Sequence, residues 1–343
     1  MARKSSTAAP KNSEEKRAGS SLTYVMYAVL AALIVFYIIS KSVLVGIFAF
    51  LCFFVVIALE LRNSLVSEGV MKTARDIVIA VVAAVVLLWA IPSLAFHTSS
   101  PVDVVVSCSM LPVLHRGDLV ILHGMGNASQ FIEENRIPLV NVSQSDFYSM
   151  VNNMGSEFTE PFAYFNGNYS NISTAMPHGT KYGIGTYSLD CLSRVPRSRY
   201  AECRETNASL QSNLIKYNYS IANLSTPAGM EQTVYVSGIE IGTARITENY
   251  SNPIIIYQTT PEDYFSGHII HRVFAAMKVG SSYYFLTKGD NNPVLDIESL
   301  NYPVNASQVI GYVLYDVPYL GFPALIIKGQ VGSVPGCNQT IIR

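Results

Sequence analysis

Two hydroxyl residues, Ser107 and Ser109, end a run of β-branched apolar residues in "VVVSCSMLPVLHRGDLV", residues 104–120. The apolar run reads as a strand, and Pro112 behind it as part of a sharp bend. Hydroxyls at such bends commonly satisfy local backbone groups. One of them is a nucleophile if a base lies within hydrogen-bond reach and a carboxylate orients that base. The chemistry would then be acyl transfer through Ser109. Six histidines compete for the part of the base. His97 and His178 sit in polar stretches without a motif, and His115 and His123 flank the strand "GDLV". His268 and His271 are three apart on a predicted strand, and an odd offset puts them on opposite faces. His271, set among Ile270, Arg272 and Val273, suits a partly buried base. Cys108 faces away from Ser109 on the strand end and is read as packing.

Carboxylates come from "TKGDNNPVLDIE". Asp290 lies in a Gly-Asp-Asn-Asn turn, where aspartate is an ordinary turn former. Asp296 follows an apolar pair, where a carboxylate is poorly solvated and needs a partner, with His271 the obvious one.

Strands must hold these residues. "HIIHRVFAAMKV", Gly280 and "SYYFLTKGDNN" read as a hairpin, and "QVIGYVLYDV" as a further strand. "PYLGFPALII" is about ten residues long, too short to span a bilayer. It suits a membrane interface through Tyr319 and Phe322. "VYVSGIEIGTARI" (234–246) reads as two short strands around a glycine turn, and "PIIIYQT" (253–259) as another strand. The block 124–262 is rich in Asn, Ser, Tyr and Gly and only weakly periodic. It is expected to be an irregular, β-rich, glycosylated insertion between the two parts of a catalytic β core, 97–123 and 263–343.

Ser107-Cys108-Ser109-Met110-Leu111-Pro112 followed by Gly117-Asp118-Leu119-Val120 resembles the nucleophile box of type I signal peptidases. His271-Arg272-Val273 resembles the base box of their archaeal and endoplasmic-reticulum branch, where histidine replaces lysine. Lys288-Gly289-Asp290-Asn291-Asn292 with Asp296 resembles that branch's acidic box, and Gly311-Tyr312-Val313 through Pro318-Tyr319-Leu320-Gly321 its C-terminal segment. The four boxes occur in family order and cover about 100–123 and 267–324. Cys108 stands where the family usually has glycine, and more chain separates Ser109 from His271 than is usual there. The resemblance implies a serine endopeptidase on a small antiparallel β fold. Ser109 would be the nucleophile, His271 the base, Asp296 its orienting acid and Asp290 a second acid holding the turn or the network. Ser107 and Met110 would contact the oxyanion and substrate. It implies no cofactor and no metal. The partners would be the signal peptides of secretory preproteins, membrane lipid and the protein-translocation channel.

The composition fits a membrane protein: 50% of residues are hydrophobic and 14% charged, with mean hydropathy +0.28. A net charge of −1 argues against nucleic acid. Three uncharged runs near the ~20 residues of a bilayer span lie in 22–40, 43–60 and 76–96. Arg3, Lys4, Lys11, Lys16 and Arg17 precede the first, and Arg62, Lys72 and Arg75 lie between the second and third. By the positive-inside rule, the tail 1–21 and the loop 61–75 are cytoplasmic and the chain beyond about 97 is outside. The expected architecture is three N-terminal transmembrane helices plus a mainly antiparallel β extracytoplasmic catalytic domain with a large β-rich insertion. About a dozen residues join the third span to Ser109, which keeps the nucleophile within ~40 Å of the bilayer.

Asn-x-Ser/Thr acceptors occur at Asn127, Asn141, Asn168, Asn171, Asn207, Asn218, Asn223, Asn249, Asn305 and Asn338, none before residue 100. That one-sided distribution agrees with an exterior, glycosylated region. Cys52 lies inside a predicted span, as a small apolar filler. Cys191 and Cys203 are candidates to pair and Cys337 is a third, so the pairing is open. A reading from another class also fits the acceptors: a glycosylated, membrane-anchored surface or envelope protein whose peptidase core is inactive.

Overall fold

The computed structural model describes residues 12–40, 43–154, 162–165, 168–171, 183–187, 199, 202, 204–205, 214–261, 263, 265–299, 301–330, 332–334 and 336–343. The chain forms two compact units, Met1–Ile91 and Pro92–Arg343.

The first unit is helical: α1 Asn12–Ser40, α2 Val43–Glu68 and α3 Val70–Val85, followed by a π-helical turn over Val86–Ala90. A short helix, α4 Ile91–Ala95, continues the chain. Among the described residues α2 alone is long and apolar enough to cross a membrane, over Leu44–Leu65 with mean hydropathy 2.8. The apolar part of α1, Tyr24–Tyr37, is shorter. The third expected span is divided by the π turn. Apolar side chains such as Leu44, Phe48, Leu51 and Phe54 are exposed along α2, a surface that water does not suit. Gly46 lets α2 approach α1: a Cβ there would come within 3.1 Å of the Tyr37 ring. Cys52 is buried, as its apolar setting predicts.

The second unit is a mostly antiparallel β domain with a few helices. Its strands are β1 Val102–Val104, β2 Leu119–His123, β3 Leu139–Val142, β4 Phe162–Phe165, β5 Asn168–Asn171, β6 Gly183–Tyr187, β7 Arg204–Glu205 and β8 Ile215–Thr226. They continue as β9 Gly229–Ile241, β10 Ala244–Thr247, β11 Ile254–Gln258, β12 His268–Val279, β13 Ser282–Lys288, β14 Val304–Asn305, β15 Val309–Val317 and β16 Thr340–Ile342. The helices are α5 Ala128–Glu134, α6 Gln144–Met154 and α7 Phe322–Ile327. The main sheet runs β1-β2-β15-β11-β12-β13-β14, with β3 parallel to the far end of β12. A second sheet runs β10-β9-β8-β16 and a third β5-β4-β6-β7.

The expected β12–β13 hairpin forms around Gly280, whose φ of 60° favours glycine. The glycine turn in 234–246 joins β9 to β10 through Gly242, also at φ 60°.

The proposed insertion boundary does not hold. Its strand β11 pairs with β12 on one side and β15 on the other, inside the main sheet. From the same block, α5 contributes Phe131 and Ile132 to the core with Ile255, Val273 and Phe285. Phe147 and Met150 of α6, Ile215 of β8, and Val236, Ile239 and Ile241 of β9 pack on Phe274, Met277 and Leu286. The reason is covering: β12 and β13 carry apolar side chains on both faces, and the second face needs the β8–β9 hairpin over it. Among the described residues of 124–262, only β4 to β7 form a sheet that shares no strand with the other two.

Candidate active site

The nucleophile turn is built around apolar anchors. After β1 the chain leaves the ladder, with Val105 donating to the Asp118 carbonyl and accepting from Gly117 N–H. Met110 and Leu114, at 1% and 2% exposure, sink into a cluster with Val105, Val120, Leu122 and Ile256. The Met110 carbonyl accepts from Val113 and Leu114, closing the turn. Asp118 is buried and accepts from His115 N–H and Tyr319 N–H, tying this turn to the segment before α7. Met110 is therefore a buried anchor of the turn rather than a side chain offered to substrate. Its expected substrate role is corrected on that ground.

Across from this turn, β12 presents His268 and His271 to opposite sides, as their spacing requires. The side chain of His268 is 44% exposed and meets Asp103 of β1 at 3.0 Å, while that of His271 is 9% exposed. Nε2 of His271 lies 2.9 Å from Ser109 Oγ, and Nδ1 lies 2.7 Å from Oδ2 of Asp296. With the Nδ1 proton directed at the carboxylate, Nε2 is free to accept from the Ser109 hydroxyl. Ser107 Oγ is 3.1 Å from Ser109 Oγ.

Asp296 is 4% exposed, and such a carboxylate must be solvated by the protein. Its Oδ2 accepts from Thr287 Oγ1 at 2.6 Å and from the Tyr257 hydroxyl at 3.0 Å, besides meeting His271. Burial first, and then the Asp296 charge, push the Tyr257 hydroxyl well above its ordinary pKa, so it stays a donor. Neither Tyr257 nor Thr287 carries a motif. Both are polar positions next to apolar residues in their strands, which is the only sequence signal they give.

Asp290 does not touch the histidine among the contacts found. It grips Arg272, the residue after His271, in a fork at 2.8 and 2.7 Å. Arg272 also donates to the carbonyls of Tyr250 and Asn252, both at 2.6 Å. Asp290 thus ties its turn to the strand that carries His271. Lys288 is buried on a salt bridge to Glu248, and burial lowers its pKa.

Asn291, next to Asp290 in the same turn, uses its backbone and its side chain. Its N–H donates to the Ser109 carbonyl at 2.7 Å. Its Nδ2 donates to the carbonyls of Cys108 at 3.1 Å and Gln339 at 2.9 Å, and its Oδ1 accepts from Ile341 N–H at 2.8 Å. The neighbouring Gly289 has to be glycine in this packing, since a Cβ would sit 2.6 Å from the Ser109 carbonyl.

Cys108 is buried, but more than packing holds it: it forms a disulfide with Cys337. Cys191 and Cys203 lie outside the described residues, as does His178. His123 bonds the Gly124 carbonyl, while His115 lies 3.8 Å from Asp118. Of the acceptor asparagines, Asn127, Asn141, Asn218, Asn223, Asn249 and Asn338 are exposed and Asn305 is half-buried. Asn207 falls outside the described residues, and of Asn168 and Asn171 only the backbone, in β5, is described. No cluster of metal-ligating side chains occurs among the described residues.

The class of site is a serine–histidine–aspartate relay at a strand end, with a second hydroxyl beside the nucleophile. Comparison with protein-family models, with curated proteins and with solved structures gives no match.

Proposed function

We propose that this chain is a membrane-bound serine endopeptidase that removes signal peptides from secreted preproteins on the outer face of the membrane, after small residues. The observation that carries this reading is the relay itself: hydroxyl to imidazole at 2.9 Å and imidazole to a buried carboxylate at 2.7 Å. These two contacts join three side chains in the order that a nucleophile, base and orienter need. Ser109 Oγ attacks the scissile carbonyl carbon while its proton passes to His271 Nε2. Asp296 holds the resulting imidazolium. The Ser107 hydroxyl and the Ser109 N–H donate to the oxyanion. His271 then gives the proton to the departing amine nitrogen as the peptide bond breaks. Water, activated by the same imidazole, hydrolyses the acyl-enzyme and restores Ser109.

The unpaired edge of β1, the last strand of the main sheet, suits an extended substrate that adds as a further strand. The membrane part of the proposal has α1, α2 and the third apolar run crossing the bilayer, with the N-terminus cytoplasmic. Exposed Leu320, Phe322, Ile326 and Ile327 in and before α7 suit an interfacial surface. The test is cleavage of a presecretory protein in detergent. Wild type should release the mature chain and Ser109→Ala should release none. Processing by Ser109→Ala would remove the serine from the mechanism.

A further inference from the structure

The C-terminal segment is fastened to the nucleophile turn by several independent ties. Cys337 is disulfide-bonded to Cys108, the residue next to Ser109. Arg116, in the same turn, donates to the carbonyls of Gly332, at 2.7 Å, and Gln330. Asn291 reaches Gln339 and Ile341 with one side chain while its N–H and Nδ2 hold the carbonyls of Ser109 and Cys108. Finally β16 pairs with β8, which anchors the segment in the second sheet. The nucleophile therefore stands between two carbonyls clamped by Asn291 and beside a covalent bond. None of these groups takes part in proton transfer.

We propose that the segment from Gln330 to Ile342 is a redox-released strap that positions Ser109 against His271. The disulfide is its lock. This inference rests on the peptidase reading of the site. A dithiol reductant would supply two electrons and two protons. Cys108 and Cys337 become two thiols, and the reductant becomes its own disulfide. With the lock open, the ties described between strap and turn are hydrogen bonds alone. The Ser109 hydroxyl then departs from the 2.9 Å contact with His271 for part of the time. Displacement of a reacting group by about 1 Å costs on the order of 10²-fold in rate. The effect belongs on kcat, because the proposed substrate edge on β1 keeps its pairing with β2.

The experiment uses the full chain in detergent, with a preprotein substrate, before and after dithiothreitol, and with thiol titration to verify reduction. Reduction should lower kcat by roughly 10- to 100-fold with KM little changed, and reoxidation should restore it. Cys337→Ser should start at the lowered rate and ignore dithiothreitol. A verified reduced wild type with unchanged kcat overturns the proposal and leaves the disulfide a structural tie. If reduction melts the domain, Asn291→Ala decides in the oxidised protein. A fall in kcat at constant KM supports the strap, and an unchanged kcat overturns it. Oxidised wild type that cleaves no preprotein would sink the peptidase reading. The strap would then be judged by the nitrogen resonances of His271. A change in its Nε2 signal on reduction supports the strap, and an unchanged signal overturns it.

Discussion

A single carboxylate oxygen, Oδ2 of Asp296, meets His271, Thr287 and Tyr257. Two hydroxyls thus fix the rotation of the carboxylate before the imidazole meets it. Replacing Asp296 by asparagine keeps the shape and inverts the donor pattern, so His271 would present the wrong tautomer. Cleavage should fall by roughly 10³- to 10⁴-fold with folding retained, read as kcat/KM beside a circular dichroism spectrum. Tyr257→Phe removes one donor only and should cost about tenfold in kcat. An effect as large as that of Asp296→Asn would mean that Tyr257 acts directly on the reaction. Asp290→Asn should behave differently. It strands the buried Arg272 cation, so the expected loss is stability, about 3–5 kcal/mol, seen as a lowered denaturation midpoint. Ser109, His271 and Asp296 were legible in the sequence because a hydroxyl–imidazole–carboxylate relay needs those residue types, here found at a strand end, on a strand and after an apolar pair. Tyr257, Thr287 and Asn291 were not, because their roles depend on which strands lie side by side. The same is true of the Cys108–Cys337 bond, which joins positions 229 residues apart.

The strand β12 does most of the positioning. It turns His271 inward and His268 outward, and it carries apolar side chains on both of its faces. Its alternation and the Gly280 hairpin were readable from residue order alone. "PIIIYQT" was equally readable as a strand, but its partners were not, since pairing with β12 and β15 is non-local. The unbroken run Ile254-Ile255-Ile256-Tyr257 was the available hint, since a strand apolar on both faces belongs to a core, and all four residues are buried. Elsewhere in this unit α7 leaves Ile326 and Ile327 at 62% and 86% exposure. If this surface meets lipid, Ile326→Asp with Ile327→Asp should reduce binding of the isolated 92–343 region to anionic vesicles. Hydrolysis of a soluble peptide should stay within about twofold, since the exposed pair stabilises little in water. Unchanged vesicle binding would assign the patch to something other than membrane.

At the scale of the whole molecule, the part that separates nucleophile from base is not detachable. Replacing residues 130–255 with a Gly/Ser linker removes most of α5, all of β3, α6 and β4 to β10, and the first two residues of β11, and that protein should not fold. Replacing 158–210 with a flexible linker removes β4 to β7, whose sheet shares no strand with the others. Lengthening or shortening such a connection changes loop-closure cost only slowly. This second variant should keep a cooperative unfolding transition and measurable cleavage, checked by thermal melting and a peptide assay. The weak periodicity of 124–262 hid this division, because a long twisted hairpin and an independent small sheet share the same Asn-, Ser- and Tyr-rich composition.

The separation of 162 residues between Ser109 and His271 also sets a calendar. A ribosome adds about 5–20 residues per second, so the imidazole follows the hydroxyl by roughly ten to thirty seconds. Asp296 follows next, and Cys337 after it. A half-made chain holds a serine with nothing to deprotonate it. If the chain is a peptidase as proposed, the newborn protein is therefore harmless to its neighbours, and to its own apolar N-terminal helices, until His271 and Asp296 have been made.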